Sequence, residues 1–225
     1  MKITFIAHSA FLVEWDKFYT LFDYVYEPDY TGTLPPLDPQ KPLLVFSSHS
    51  HEDHFDGKVF GLLEQYPLTQ FFVSRDTRLT ERRRKWLGIS DEAFARTTVL
   101  RPDSILLTDV AGEDLSIRAI KSTDIGNAYL LRCEGKMVYH GGDLNWWDWK
   151  SEGEAYCNNM AAHYRAAIEK LASAVENEAT DNAIAPEITA AMAPLDPRLG
   201  EGSEGLGIEY LLKNVTVQHI FPMHM

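Results

Sequence analysis

The sequence predicts an α/β protein in which two β-sheets pack together and helices cover their outer faces. Short apolar runs of strand length are frequent early in the chain, whereas the predicted helices become longer towards its end. This order of elements fits two packed sheets with helices outside. At 225 residues, of which 45% are hydrophobic, the chain lies within the range of a single domain with a sizeable core.

Short strands are predicted at the start of the chain, and a further strand follows a long loop. The loop is predicted at residues 24–42, which contain five prolines. The apolar run Leu43-Leu44-Val45-Phe46 then predicts a buried strand. The predicted strands are residues 2–7, 10–14, 18–23 and 43–46.

The next part of the chain is predicted to combine short helices with a strand. Asp76 is the expected N-cap of one helix, and Ser90 or Asp91 repeats that signal for the next. The predicted elements are a helix at residues 57–65, a strand at 69–74, and helices at 76–87 and 90–95.

Strands then follow one another quickly before a long helix. Gly135 favours a turn between two of these strands, and an Ala- and Glu-rich segment predicts a helix at residues 153–178. The strands are expected at residues 97–100, 104–108, 114–121, 127–133, 136–140, 188–193 and 216–221, and a last helix at 208–213.

Charge and cysteine content limit the classes of function. The net charge of −12 argues against general nucleic-acid binding. Neither of the two cysteines belongs to a Cys-x-x-Cys pair and the N-terminus lacks a signal pattern, so a cytoplasmic protein is expected. No apolar stretch approaches the ~20 residues that span a bilayer, so we expect no membrane partner. The basic run Arg82-Arg83-Arg84-Lys85 favours a solvated helix face over a phosphate site.

The segment Ser48-His49-Ser50-His51-Glu52-Asp53-His54 is the most informative part of the chain. It contains three of the eight histidines and follows a predicted strand, where open sheets commonly place their sites. Ligands two positions apart on an extended segment point the same way. Neutral imidazole and carboxylate suit zinc, iron or manganese. The alternative is a solvated loop that happens to be rich in histidine.

This His-x-His-x-Asp-His pattern resembles the signature of the metallo-β-lactamase-fold hydrolases. The resemblance implies a four-layer αββα sandwich of two mixed β-sheets with helices outside, formed by residues 1–225 as one domain. It also implies two divalent metal ions, with zinc as the first choice and manganese or iron as alternatives. His49 and His51 would bind the first metal, and Asp53 and His54 the second.

A second motif, Tyr139-His140-Gly141-Gly142-Asp143, ends a predicted strand in a glycine turn. Glycines let the backbone turn sharply, so that the carboxylate can project from the strand end. The motif resembles the Gly-Asp motif of the family, which implies that Asp143 bridges both metals. An ordinary Asx turn is the alternative.

The final segment, Pro222-Met223-His224, resembles the last motif of the family and implies that His224 is a ligand of the second metal. His219 is the competing residue, but it lies inside the predicted strand. A ligand next to a free terminus is poorly anchored. We therefore expect the natural chain to continue beyond Met225.

The chain departs from the family pattern at one ligand. The family normally has a histidine in a Gly-His-Thr-type turn, and Asp124 stands at that place here. Carboxylate can replace imidazole at a similar distance while adding a negative charge, and it shifts the preference towards manganese or iron. The alternative is that Asp124 only caps the turn and that the first metal binds weakly.

Other segments resemble uncharacterised bacterial hydrolases of this fold, and His8-Ser9-Ala10-Phe11 gives a more distant likeness to ascorbate-phosphate lactonases. The alternatives for these candidate residues are core packing or a local Asp–Arg ion pair. The segments are residues 122–124, 140–147 and 194–198. The expected substrate-binding residues are His8, Trp146, Asp196 and Arg198.

The leading hypothesis is a metal-dependent hydrolase for a small-molecule ester, lactone, amide or phosphodiester. Two metals would lower the pKa of a water and aim it at a carbonyl or phosphoryl centre, with Asp53 and Asp143 as the catalytic carboxylates. The alternatives are a redox-linked diiron protein and a metal-binding regulatory protein of the same fold. The missing histidine at Asp124 is the best argument for the regulatory protein.

Overall fold

The computed structural model describes residues 1–30 and 32–225, so that Thr31, within the predicted loop at 24–42, lies outside the described residues. The chain divides into two compact units. The first unit contains Met1–Arg101 and Asp109–Glu113, and the second contains Pro102–Thr108 and Asp114–Met225. Two mixed six-stranded sheets are present, which confirms the predicted α/β class.

Six strands form the sheet of the first unit. They are β1 (Lys2–Ala7), β2 (Ala10–Glu14), β3 (Tyr19–Phe22), β4 (Leu43–Ser47), β5 (Thr69–Ser74) and β6 (Thr97–Leu100), in that order across the sheet. β1 to β3 are antiparallel, whereas β3 to β6 are parallel. Since Phe22 pairs with Phe46, the chain leaves β3 and β4 at the same edge. This register places Asp23 beside the start of the histidine motif.

Short helices connect the parallel strands of this unit. They are a 3-10 turn at Gly57–Gly61 that leads into α1 (Leu62–Gln65), α2 (Glu81–Trp86) and α3 (Asp91–Ala95). The predicted cap at Asp76 is wrong. Thr80 caps α2 by accepting the Arg83 N–H, and Arg78, at φ 49°, separates the helix from Asp76. Ser90 caps α3, as expected.

The second sheet contains β7 (Ile105–Val110), β8 (Glu113–Lys121), β9 (Asn127–Cys133), β10 (Lys136–His140), β11 (Ile188–Pro194) and β12 (Val217–Met223). Its order is β12-β11-β10-β9-β8-β7, and it lies in the second unit apart from residues 109–113. β8 to β10 are antiparallel, and β10 to β12 are parallel. The carboxyl ends of the three parallel strands therefore share one edge. Asp143, Asp196 and His224 follow those three ends.

The helices of the second unit are α4 (Glu154–Asn182) and α5 (Leu206–Asn214). α4 is amphipathic, and a stripe formed by Tyr164, Ile168, Leu171 and Val175 is buried in the core of this unit. The helix continues beyond the predicted end at residue 178 and stops before Ala183, which is left-handed. Within the described parts of the chain, no helix is long and apolar enough to cross a membrane.

Candidate metal centre

The histidine motif lies on the loop that follows β4. All residues of β4 are buried, so the start of the loop is fixed in the sheet. The His51 carbonyl oxygen accepts the N–H groups of His54 (3.0 Å) and Phe55 (2.8 Å), which closes a tight turn. Asp76 Oδ2 accepts the Ser50 N–H at 2.7 Å. Asp76, which was expected to cap a helix, therefore holds the backbone of the motif loop through this hydrogen bond.

Asp23 is the residue that sequence reasoning missed. It is buried, and its Oδ1 accepts the Ser48 N–H at 2.7 Å. Its Oδ2 lies 2.7 Å from both the Ser48 hydroxyl oxygen and His54 Nδ1. The sequence offered one signal for Asp23, namely that it ends the strand predicted at residues 18–23. Only the pairing of β3 with β4 shows that this strand end lies beside the histidine motif.

The contacts of Asp23 determine the tautomers of His49 and His54. A carboxylate only accepts, so His54 Nδ1 and the Ser48 hydroxyl both donate to it. Since the one Ser48 hydroxyl proton is used, His49 Nδ1, at 2.9 Å, donates to the Ser48 oxygen. In the neutral form of each ring, Nε2 therefore carries a lone pair. Such second-sphere hydrogen bonds are typical of metal-binding histidines.

His49 and His51 are arranged to share one ligand. His49 Nε2 and His51 Nδ1 lie 3.0 Å apart. Two nitrogens on one tetrahedral zinc, each at 2.0–2.1 Å, are about 3.3 Å apart. The spacing of the two rings therefore suits a single metal ion.

A second cluster in the first unit joins His8, Asp53 and His54. Each offers a ligand atom within 4.8 Å of the other two. Asp53 Oδ2 lies 3.2 Å from His8 Nε2 and 3.5 Å from His54 Nε2. His8, at φ 45°, packs its ring against Tyr30 with centroids 4.9 Å apart. His8, expected to bind substrate, is thus placed beside a predicted metal ligand.

The second unit brings together Asp143, Asp196 and His224, all of which are buried. His224 Nε2 lies 3.6 Å from Asp143 Oδ1, and His224 Nδ1 lies 3.3 Å from Asp196 Oδ2. Gly142, at φ 49°, makes the turn that presents Asp143. Asp196 thus lies on the far side of the His224 ring from Asp143, as an orienting carboxylate does. His219, the competing histidine, is exposed.

Arg198 forms an ion pair with Asp196, although most of its side chain is exposed to solvent. Its guanidinium binds both carboxylate oxygens in a fork. Burial alone would raise the pKa of Asp196, but the hydrogen bonds from Arg198 and the nearby His224 hold it below the usual range. Asp196 is therefore an anion that faces His224.

Asp124 lies near Asp143. The two side chains each place a carboxylate oxygen within 4.8 Å of the other. The Asp124 N–H donates to the Ser122 hydroxyl at 3.3 Å, so the turn holds the backbone while the exposed carboxylate extends from it. This arrangement fits a ligand that stands in for the usual histidine.

The tryptophans after Asp143 divide between two environments. Trp147 packs edge-on against His224, with ring centroids 5.6 Å apart. Trp146, the predicted pocket residue, instead lies beneath the Arg165 guanidinium and lines a cavity of about 500 Å³ along α4. The aromatic wall beside His224 is therefore Trp147, which sequence spacing alone could not distinguish from Trp146.

The donor chemistry in both units fits a divalent metal ion. Each set combines imidazole nitrogens with carboxylate oxygens, which zinc, manganese and iron all accept. Thiolate is not part of either set, because Cys133 is buried in β9 and Cys157 lies on α4.

Residues 2–148, more than half of the chain, match the family model described as a β-lactamase superfamily domain. The chain therefore belongs to the β-lactamase superfamily, which confirms the family predicted from the histidine motif. No curated protein sequence matches the chain.

Solved structures support the same fold. Igni18, a metallo hydrolase from Ignicoccus hospitalis, has a TM-score of 0.56 and 19% identity, with 99% of this chain and 81% of that protein covered. CmlA, a diiron β-hydroxylase from Streptomyces venezuelae, has a TM-score of 0.58 and 10% identity, and this chain spans only 44% of it. The metallo-β-lactamase fold protein YhfI from Bacillus subtilis has a TM-score of 0.50 and 10% identity over 97% of this chain and 79% of that protein. At these identities the likeness concerns the fold.

Proposed function

We propose that this chain is a metal-dependent hydrolase that acts on a small ester, lactone, amide or phosphodiester. Membership of the β-lactamase superfamily supports this class. The observation that carries the proposal is the orientation of His49 and His54 by Ser48 and Asp23. These hydrogen bonds orient both rings so that Nε2 of each is available as a ligand. A solvated histidine-rich loop would not be expected to have such an arrangement.

We further propose that the protein binds two divalent metal ions, zinc first, with manganese or iron as alternatives. By the family pattern, His49 and His51 would hold the first metal, and Asp53 and His54 the second. The resemblance also makes Asp143 and His224 candidate ligands, and Asp124 stands at the place of the usual histidine. The nitrogen-rich motif favours zinc. The added carboxylate at position 124 is the feature that favours manganese or iron.

When bound, the metal ions supply Lewis acidity, which polarises a carbonyl or phosphoryl group and lowers the pKa of water. The side chains of the protein provide the remaining functions. Asp53 Oδ2 would accept a hydrogen bond from the attacking water, and His8 Nε2, 3.2 Å away, holds that carboxylate in position. Asp23 and Asp196 keep the rings of His54 and His224 oriented.

The carboxylate at position 124 also favours a second candidate, a redox-linked diiron protein. Oxygen-rich sites suit iron better than zinc, and CmlA is a diiron hydroxylase with this fold. A regulatory metal-binding protein of the same fold is the remaining alternative, because one fewer histidine would weaken the first metal site.

Metal content and turnover measured on one preparation test the proposal. Protein purified without added metal is analysed by elemental mass spectrometry and assayed on esters, lactones, amides and phosphodiesters before and after chelation. We expect turnover that chelator removes and zinc or manganese restores. His54→Ala should abolish it, whereas His219→Ala, at an exposed histidine, should not. Bound iron with a visible absorption band and no hydrolysis would favour the diiron candidate, and bound metal with no turnover would favour the regulatory one.

A further inference from the structure

A cavity of about 400 Å³ in the second unit lies between α4 and the loop that joins β8 to β9. The residues on the helix side recur at helical spacing and so share one face. Two alanines in the middle of that face leave room for a ligand. The lining residues are Lys121, Ser122, Thr123 and Asp124 from the loop, and His163, Ala166, Ala167 and Lys170 from the helix.

Basic side chains outnumber acidic ones in the lining of this cavity, although the protein is acidic. The chain has a net charge of −12, yet Asp124 is the one acidic residue among the lining residues described, beside two lysines and a histidine. Lys170 Nζ donates to Asp103 Oδ2 at 2.7 Å, which partly neutralises that lysine. The Lys121 ammonium and the His163 ring make no hydrogen bond or ion pair with the described residues. Both groups are therefore available to a ligand.

The larger cavity along α4 lacks this bias. It is lined by Trp146 and by a balanced set of charges, with two basic side chains against two acidic ones. The charged residues are Lys150, Arg165, Asp148 and Glu154. The smaller cavity is the better match for an anion, because its Lys121 ammonium and His163 ring make no hydrogen bond or ion pair with the described residues.

We propose that the basic cavity binds a carboxylate or phosphate group of the substrate, so that the enzyme selects anionic substrates. This inference rests on the proposed hydrolase function. Asp124 connects the two, because it lines the cavity and also lies within 4.8 Å of Asp143. A substrate anchored by its anionic group at Lys121 and His163 would extend along Asp124 towards Asp143. The local positive charge also offsets the repulsion between an acidic protein and an anionic substrate.

Binding of inorganic phosphate tests the cavity without any need for turnover. The double variant Lys121→Gln/His163→Gln removes two exposed side chains that have no described partner, so the fold should be retained, which a thermal scan verifies. By titration calorimetry at low salt, we expect phosphate affinity to fall about tenfold. Lys213→Gln, an exposed lysine on α5, is the charge-matched control and should bind as the wild type does. Absence of phosphate binding to the wild type, or equal affinity in the double variant, would overturn the proposal.

Selectivity gives the second readout. A neutral ester and the same ester with an added carboxylate are compared by kcat/KM. The wild type should prefer the charged ester, and the double variant should reduce that preference about tenfold. Turnover with an unchanged preference would refute the anion cavity but leave the hydrolase function intact. Absence of all turnover would refute the hydrolase function, and phosphate binding would then decide the cavity on its own.

Discussion

Asp23 organises the histidine motif through a single carboxylate. Asp23→Asn keeps the shape, and the asparagine oxygen can still accept the Ser48 N–H. Its amide nitrogen would then face His54 Nδ1 and, being a donor, would favour the tautomer whose proton is on Nε2. We expect metal affinity to fall by about 10- to 100-fold, as is typical when a partner of a metal-binding histidine is changed. Competition with a calibrated chelator measures this loss.

The matched control for this change is Asp181→Asn, at an exposed position in the last turn of α4. It removes the same charge without touching the motif and should leave metal affinity unchanged. Equal affinity in Asp23→Asn and Asp181→Asn would mean that tautomer control by Asp23 does not contribute to metal binding.

Variants of Asp124 test whether this residue is a metal ligand in place of the usual histidine or only a turn residue. If it binds the first metal, Asp124→Ala should lower metal content and activity together. Asp124→His should keep or raise zinc affinity, because it restores imidazole and removes a negative charge. Metal content and turnover, measured on the two variants and on Asp181→Ala, decide the point. Unchanged values in Asp124→Ala would leave Asp124 as a turn residue.

At this scale the spacing of the histidine motif predicted a cluster of candidate ligands, and the structure places their ligand atoms close together. The sequence could not predict Asp23, because an isolated aspartate after a strand has no spacing signal. Its role depends on the parallel pairing of Phe22 with Phe46, which only the folded sheet reveals. The choice of Trp147 over Trp146 beside His224 likewise depends on ring orientation.

At the scale of elements, parallel pairing explains how distant residues reach one edge. β10, β11 and β12 end together, so Asp143, Asp196 and His224 become neighbours within the second unit. Most strands were predictable, since their apolar runs are bounded by turn residues. The start of α2 could not be predicted, because Asp76 and Thr80 are both acceptable N-cap residues. In the structure, Arg78 lies between them in the left-handed conformation, so that only Thr80 is placed to cap the helix.

α4 is tied to its sheet by a buried ion pair. Glu178 accepts hydrogen bonds from Ser116 (2.6 Å), Arg118 (2.5 Å) and Arg132 (3.2 Å) on β8 and β9. Glu178→Gln leaves two partly buried guanidinium groups, those of Arg118 and Arg132, without their anion and should lower the free energy of unfolding by about 2 kcal/mol at pH 7. Denaturant unfolding measures this loss. Glu176→Gln, an exposed neighbour on the same helix, is the control and should change stability by less than about 0.5 kcal/mol.

The same ion pair predicts a pH dependence. Burial raises the pKa of Glu178, but the hydrogen bonds from Ser116, Arg118 and Arg132 outweigh it and lower the pKa below its usual value. A lowered folded-state pKa stabilises the protein fully above the unfolded value of about 4.3. That contribution is lost as the pH falls through the folded-state value. The stability difference between wild type and Glu178→Gln should therefore be constant near neutrality and shrink below about pH 4.3. A difference that grew on acidification would contradict this assignment.

At the scale of the whole molecule, we expect metal binding to stabilise the fold. Carboxylates held close together repel one another unless a cation lies between them. A metal ion that binds only the native state adds about 2.7 kcal/mol to the free energy of unfolding when its concentration is 100 times its Kd. The melting temperature should therefore rise. Thermal scans with chelator, zinc and manganese measure this shift. A melting temperature indifferent to all three would favour a protein that does not depend on metal.

If the histidine motif and His224 both bind metal, the number of metal ions per chain shows it most directly. Elemental mass spectrometry of dialysed protein, reconstituted with zinc, should find two metal ions per chain in the wild type and in His219→Ala. His224→Ala, five residues away on the same segment, and His49→Ala in the other unit should each lose one ion or bind it much more weakly. Two tightly bound ions in both His224→Ala and His49→Ala, or none in the wild type, would contradict the account.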